Sequence, residues 1–86
     1  MNILRIEGCT RTLGAPSDWS EEHNGVCAGL PIRDVVTDDG NPWMQSAWEP
    51  SPDELERLKA GAPIILWING VAHPVVSLQV SEAPSI

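Results

Sequence analysis

The sequence predicts a small α+β fold: an antiparallel β-sheet of about four to six strands, one short capped α-helix over about 52–60, and a C-terminal β-hairpin turning at Asn69-Gly70. Three observations predict it. Short stretches rich in strand-forming residues alternate with clusters of Gly, Pro, Asn and Asp. One segment, Ser51 to Gly61, carries the start and stop signals of a helix. Asn69-Gly70 stands between two apolar runs, which is the strongest short-range hairpin signal.

In chain order, Ile3 to Ile6 reads as a first strand ended by Gly8. Thr10 to Leu13 continues it or pairs back, since Thr favours strands. From Gly14 to Gly29 no period is sustained. Ser17 or Asp18 is the candidate cap of one short helical turn through Glu22, with Asn24-Gly25 as its left-handed stop. Connections of this length usually have a job or lack order, which makes this the candidate functional loop. Leu30 to Thr37 recovers strand character, with Pro31 near its start, where a missing N–H costs least. Asp38-Asp39-Gly40-Asn41 is a turn by composition. Trp43 to Trp48 is then the return strand, with Trp43, Gln45 and Ala47 on one face and Met44, Ser46 and Trp48 on the other.

The helix signal is the clearest. Ser51 is a good N-cap, and Glu54 three residues on completes a capping box. Pro52 falls at the first helical position, where its absent N–H is not missed. Asp53 and Glu54 sit at the positive end of the helix dipole, and Lys59 near the negative end. Gly61 supplies the left-handed stop. Leu55 and Leu58 are its expected core contacts. Beyond it, Ile64, Leu66 and Ile68 share one strand face, and Val76, Leu78 and Val80 alternate with Ser77 and Gln79. Pro74 assigns its stretch to an edge or a bulge.

The 86 residues read as a single domain over 1–80 and a flexible tail over 81–86. Five basic residues against twelve acidic, a net charge of -7, argue against binding a nucleic-acid backbone or an anionic membrane. The longest apolar run, Ala62 to Ile68, is interrupted by Pro63 and falls far short of the ~20 residues that span a bilayer. No basic start leads into a long apolar stretch, so a soluble, cytoplasmic protein is expected. Cys9 and Cys27 are expected as reduced, partly buried thiols.

Cys9, His23, Cys27 and His73 lack the close ligand pairing of zinc sites, so no metal and no cofactor is expected. Cys27, His23 and Asp18 or Asp34 can be written as a nucleophilic set, but no nucleophile elbow or phosphate-cradling loop accompanies them. No catalytic residue is assigned, and an enzyme is not expected. The four tryptophans supply all the aromatic area. Core filling is the reading for Trp67 and Trp48. Trp19, in the irregular loop, and Trp43, after Asn41-Pro42, are the candidate exposed anchors, because Trp and Arg are enriched at interface hot spots. Arg5, Arg11 and Arg33 are the candidate cations, able to stack on a Trp or to grip a carboxylate or phosphate.

From Trp48-x-Pro50 through Glu54-Leu55-x-x-Leu58-x-x-Gly61-Ala62 to Gly70-x-x-His73-Pro74, the chain resembles a family of small proteins found in phage and prophage genomes. Ile6 to Trp19 fits the same group, although this chain has Val75 where members often carry a second proline. The resemblance implies an origin rather than a mechanism, and places the protein in the host-cell cytoplasm. The expected function is that of a non-catalytic phage-type accessory protein that binds and inhibits a host defence or regulatory component. A structural or self-assembling virion-associated module is the alternative. A sponge for an anionic small ligand such as a nucleotide is a further one. The expected partners are accordingly a host protein, a second copy of the chain, or that anionic ligand.

Overall fold

The computed structural model describes residues 1–83. Its elements in chain order are β1 (Asn2–Leu4), β2 (Arg11–Leu13), α1 (Glu21–Asn24), β3 (Leu30–Val36), β4 (Pro42–Gln45), β5 (Ala47–Glu49) and α2 (Pro52–Lys59). The fold is a small α+β fold with antiparallel sheets. A three-stranded sheet has the order β2-β3-β4, and a separate two-stranded ribbon pairs β1 with β5.

The register follows local chemistry. Arg11 faces Ile32 and Leu13 faces Leu30 across β2 and β3. Across β3 and β4, Arg33 faces Gln45 and Val35 faces Trp43. The connecting turn is closed by Thr37 N–H donating to the Asn41 carbonyl at 3.0 Å and Gly40 N–H to the Thr37 carbonyl at 2.8 Å. Gly40 takes φ 84°, a left-handed value that a side chain would strain. Asp39 accepts from the Thr37 hydroxyl and, at 2.9 Å, from the Asn41 amide, which locks the turn.

The single strand expected over Trp43 to Trp48 is two. Extending the β3–β4 register past Gln45 would set Ala47 opposite Pro31, which has no N–H to donate. The chain instead leaves at Ser46 and pairs with β1, placing Trp48 opposite Ile3 and Ala47 opposite Leu4. β1 itself stops at Leu4, because a turn closed by Cys9 N–H on the Ile6 carbonyl follows it. The short helix in the connecting loop begins at Glu21, after Ser20, rather than behind Ser17 or Asp18.

α2 forms as its signals require. Ser51 Oγ accepts from Glu54 N–H at 3.2 Å, and Glu54 Oε1 accepts from Ser51 N–H at 2.9 Å. At the other end Gly61 has φ 97°, and the Gly61 and Ala62 amides return to the Leu58 and Arg57 carbonyls. Packing falls short of expectation: Leu55 is exposed and Leu58 only half-buried.

The expected C-terminal hairpin does not form. Among the described residues no strand follows α2. Gly70 adopts a positive φ of 128° but Asn69 does not, whereas a type I′ turn needs both. Pro63 and Pro74 remove ladder donors, and an isolated two-stranded hairpin is marginal without a third strand or a helix to cover it. The expected flexible tail over 81–86 lies partly outside the described residues.

Among the described residues only Ile32, 2% exposed, is fully buried. The molecule is accordingly open. Its accessible surface is 7670 Å², against about 5,000 Å² for a compact chain of 9.3 kDa. Its radius of gyration is 15.1 Å, where a compact chain of this length gives about 12 Å.

Candidate functional site

The arginines expected to serve a ligand divide into two groups. Arg11 reaches diagonally across β2 and β3 to Asp34, with Nε donating to Oδ2 and Nη2 to Oδ1, both at 3.0 Å. Thr10 completes this cluster by donating from its hydroxyl to Asp34 Oδ2 at 2.6 Å and accepting from the Asp34 amide at 3.0 Å. Hydrogen bonds from Arg11 and then Thr10 hold the Asp34 carboxyl below the usual carboxylate range. Arg33 lies on the opposite face. Its Nε and Nη2 donate to Gln45 Oε1 at 2.9 and 2.7 Å, and its Nη1 to the Glu7 carbonyl at 2.9 Å. Both guanidiniums therefore tie strands and a turn together. Arg5, exposed just beyond β1, lies outside these two networks.

The tryptophans are distributed against expectation. Trp19 folds back on its own loop, donating from Nε1 to the Gly25 carbonyl at 2.9 Å, and is half-buried. Trp43, opposite Val35, is half-buried as well. Trp67, assigned to the core by sequence, is 90% exposed, and Trp48 is 46% exposed. The reason is that no strand carries Trp67 onto a sheet, so its ring finds nothing to cover it. Trp48 faces Ile3 on a two-stranded ribbon, which is too narrow to enclose an indole, and its Nε1 donates to Ser46 Oγ at 2.9 Å.

Two surface features remain. A shallow groove of about 290 Å³ is lined by Asn41, Pro42, Trp43 and Val75, which brings Trp43 beside the C-terminal segment. The segment itself presents Ile64, Ile65, Leu66, Trp67, Val71, Val75, Val76, Leu78 and Val80 to solvent. Residues 60–81 contain no Asp, Glu, Lys or Arg, whereas every charged residue but Glu82 lies at Lys59 or before it. The sequence assigns this stretch to a C-terminal hairpin with one buried and one solvent-facing side, and does not single it out as a binding surface. The signal that could have found it is this absence of charge in a chain one-fifth charged.

Cys9 and Cys27 are free and half-buried. Among the described residues no three His, Cys, Asp or Glu side chains gather where they could hold a metal ion. Among them, too, no helix is long and apolar enough to cross a membrane. Comparisons with protein-family models, with curated proteins and with solved structures found no match to this chain.

Proposed function

We propose that this chain is a non-catalytic accessory protein that acts by binding, through the apolar C-terminal segment and the groove beside Trp43. One observation carries the reading: nine large apolar residues between Ile64 and Val80 are exposed, in a run without Asp, Glu, Lys or Arg. Monomers rarely leave contiguous apolar patches of more than a few hundred Å² uncovered. The arginine networks add support, because Arg11 and Arg33 are engaged in holding strands rather than poised over a substrate. The phage resemblance directs the proposal toward an antagonist of a host defence or regulatory component. The open apolar surface also favours the self-assembling alternative.

The test places a photo-reactive aromatic residue at Trp67 in the otherwise unaltered chain and irradiates it in bacterial lysate. A discrete covalent adduct, absent when the same group replaces Val26, supports binding through the segment. An adduct pattern no different from that of the Val26 control overturns it.

A further inference from the structure

We infer that Asn69 is a site of spontaneous deamidation, at which the Gly70 amide attacks the Asn69 side chain and the chain gains a carboxylate within its charge-free stretch. This chemistry requires only local backbone freedom, whatever the segment binds.

The reaction is an intramolecular acyl transfer. The Gly70 nitrogen loses its proton to solvent base and bonds to Asn69 Cγ. The Cγ–Nδ2 bond breaks, and the nitrogen leaves as ammonia with a proton taken back from solvent. Water then opens the cyclic imide. Addition at Cγ yields aspartate, and addition at the main-chain carbonyl carbon yields an isoaspartyl link that runs through Cγ. Nothing is oxidised or reduced, and water is the only co-reactant. Nucleophile and electrophile sit on adjacent residues, so the rate depends on how freely the backbone can bring them to attacking geometry.

The chain has four asparagines, and the structure separates them. Asn41 precedes Pro42, whose nitrogen has no proton to lose. Asn2 lies in β1 and precedes the β-branched Ile3, which is paired with Trp48. Asn24 precedes Gly25, but the Gly25 N–H donates to the Glu21 carbonyl at 2.9 Å and closes α1. Attack from that nitrogen must first break the bond. The related pair Asp39-Gly40 is held in the same way, with the Gly40 N–H on the Thr37 carbonyl at 2.8 Å and the Asp39 carboxylate accepting from Thr37 and Asn41.

Asn69 and Gly70 are under none of these constraints. Both are exposed and lie outside every helix and strand. Among the described residues no carbonyl accepts the Gly70 N–H. A Cβ added to Gly70 would meet no atom within 4 Å, so nothing crowds the approach. Gly70 takes a φ of 128°, and glycine alone passes freely through such values. A hollow of about 140 Å³, lined by Ile68, Gly70, Val71, Ala72 and His73, gives water access to the amide. The product is one charge more negative than the formal -7, and that charge lies two residues from Trp67 in a stretch, 60–81, without another.

The test holds the purified, unaltered chain at neutral pH and physiological temperature in heavy-oxygen water and follows it by peptide mapping and mass spectrometry. The Asn69 peptide should take up solvent oxygen as a mixture of aspartyl and isoaspartyl forms. It should do so about three- to tenfold faster than the Asn24 peptide, the factor that one native hydrogen bond at Gly25 supplies. In urea that unfolds the chain the two rates should converge, because both glycine amides are then free. Asn69→Gln, whose longer side chain closes the ring far more slowly, should abolish uptake in that peptide and leave the Asn24 peptide unchanged. Equal rates in the folded chain, or a faster Asn24, overturn the assignment. So does a gap that persists unchanged in urea, since local sequence rather than the fold would then set it.

Discussion

Ile32 is the one side chain that the described residues bury completely, so replacing it with Ala probes how much of the fold depends on that point. The change deletes three carbon atoms from the centre of β3, opposite Arg11 of β2. At about 0.8 kcal/mol per buried methylene the transfer loss is about 2.4 kcal/mol, and the unfilled space raises the total to about 3–4 kcal/mol. A chain of this length has about 4–13 kcal/mol of stability in all, and one with so little buried belongs at the low end. Ile32→Ala should therefore remove most of the stability of the sheet. The assay is urea unfolding followed by tryptophan emission, to which half-buried Trp43 on the adjacent strand reports directly. With a slope of about 1 kcal/mol/M, the midpoint should fall by about 3 M, or the transition should vanish into the baseline. Val26→Ala, at a residue 81% exposed, should stay within about 0.5 kcal/mol of the parent. A loss below about 1 kcal/mol for Ile32→Ala would refute the reasoning, since it would mean that the side chain is not enclosed or that the fold draws its stability from elsewhere.

Acid should destabilise the fold in a defined window. The Met1 ammonium, followed by the Ser51 hydrogen bonds, lowers the Glu54 carboxyl from 4.5 to about 2. Its contribution is therefore complete above about pH 4.5 and is lost as pH falls toward 2. Asp34 and Asp39 are depressed as well, by hydrogen bonds from Arg11 and Thr37 respectively, and act in the same direction. Urea midpoints measured from pH 6 downward should show a slope that flattens in Glu54→Gln, and an unchanged slope would count against the contact. Ser51→Ala removes the acceptor for the Glu54 amide and should cost about 0.5–2 kcal/mol, read as lost helical ellipticity and a lower Tm. Arg33→Met frees Gln45 and the Glu7 carbonyl, and should cost about 1–3 kcal/mol in the same melts.

The sheet β2-β3-β4 is held by two polar networks, one on each face, and by one buried isoleucine. Such a construction keeps its register without a deep core, because bidentate hydrogen bonds are directional and each links strands that are neighbours. It leaves the apolar residues of the last third uncommitted, which is the condition under which a partner can supply the missing contacts.

What the sequence determined by itself is local. The capping box of Ser51 and Glu54, the stop at Gly61, the Asp39-Gly40 turn and the strand from Leu30 all depend on residues a few positions apart, and all stand where their chemistry places them. The α+β class followed from those elements. Strand pairing was decided only by the tertiary structure, because a ladder needs donors on another strand and area on another layer. Pro31 denies Ala47 a partner and splits the expected return strand, a conflict invisible until the register is known. Asn69-Gly70 carries the composition of a hairpin turn, yet composition cannot supply the third strand or helix that would make the hairpin stable. The tryptophans follow from the same cause: Trp43 sits on a strand with a neighbour and is half-covered, while Trp67 sits on a segment without one and is bare. Candidate anchors were legible as residue types; which of them faces outward was set by which strands found partners.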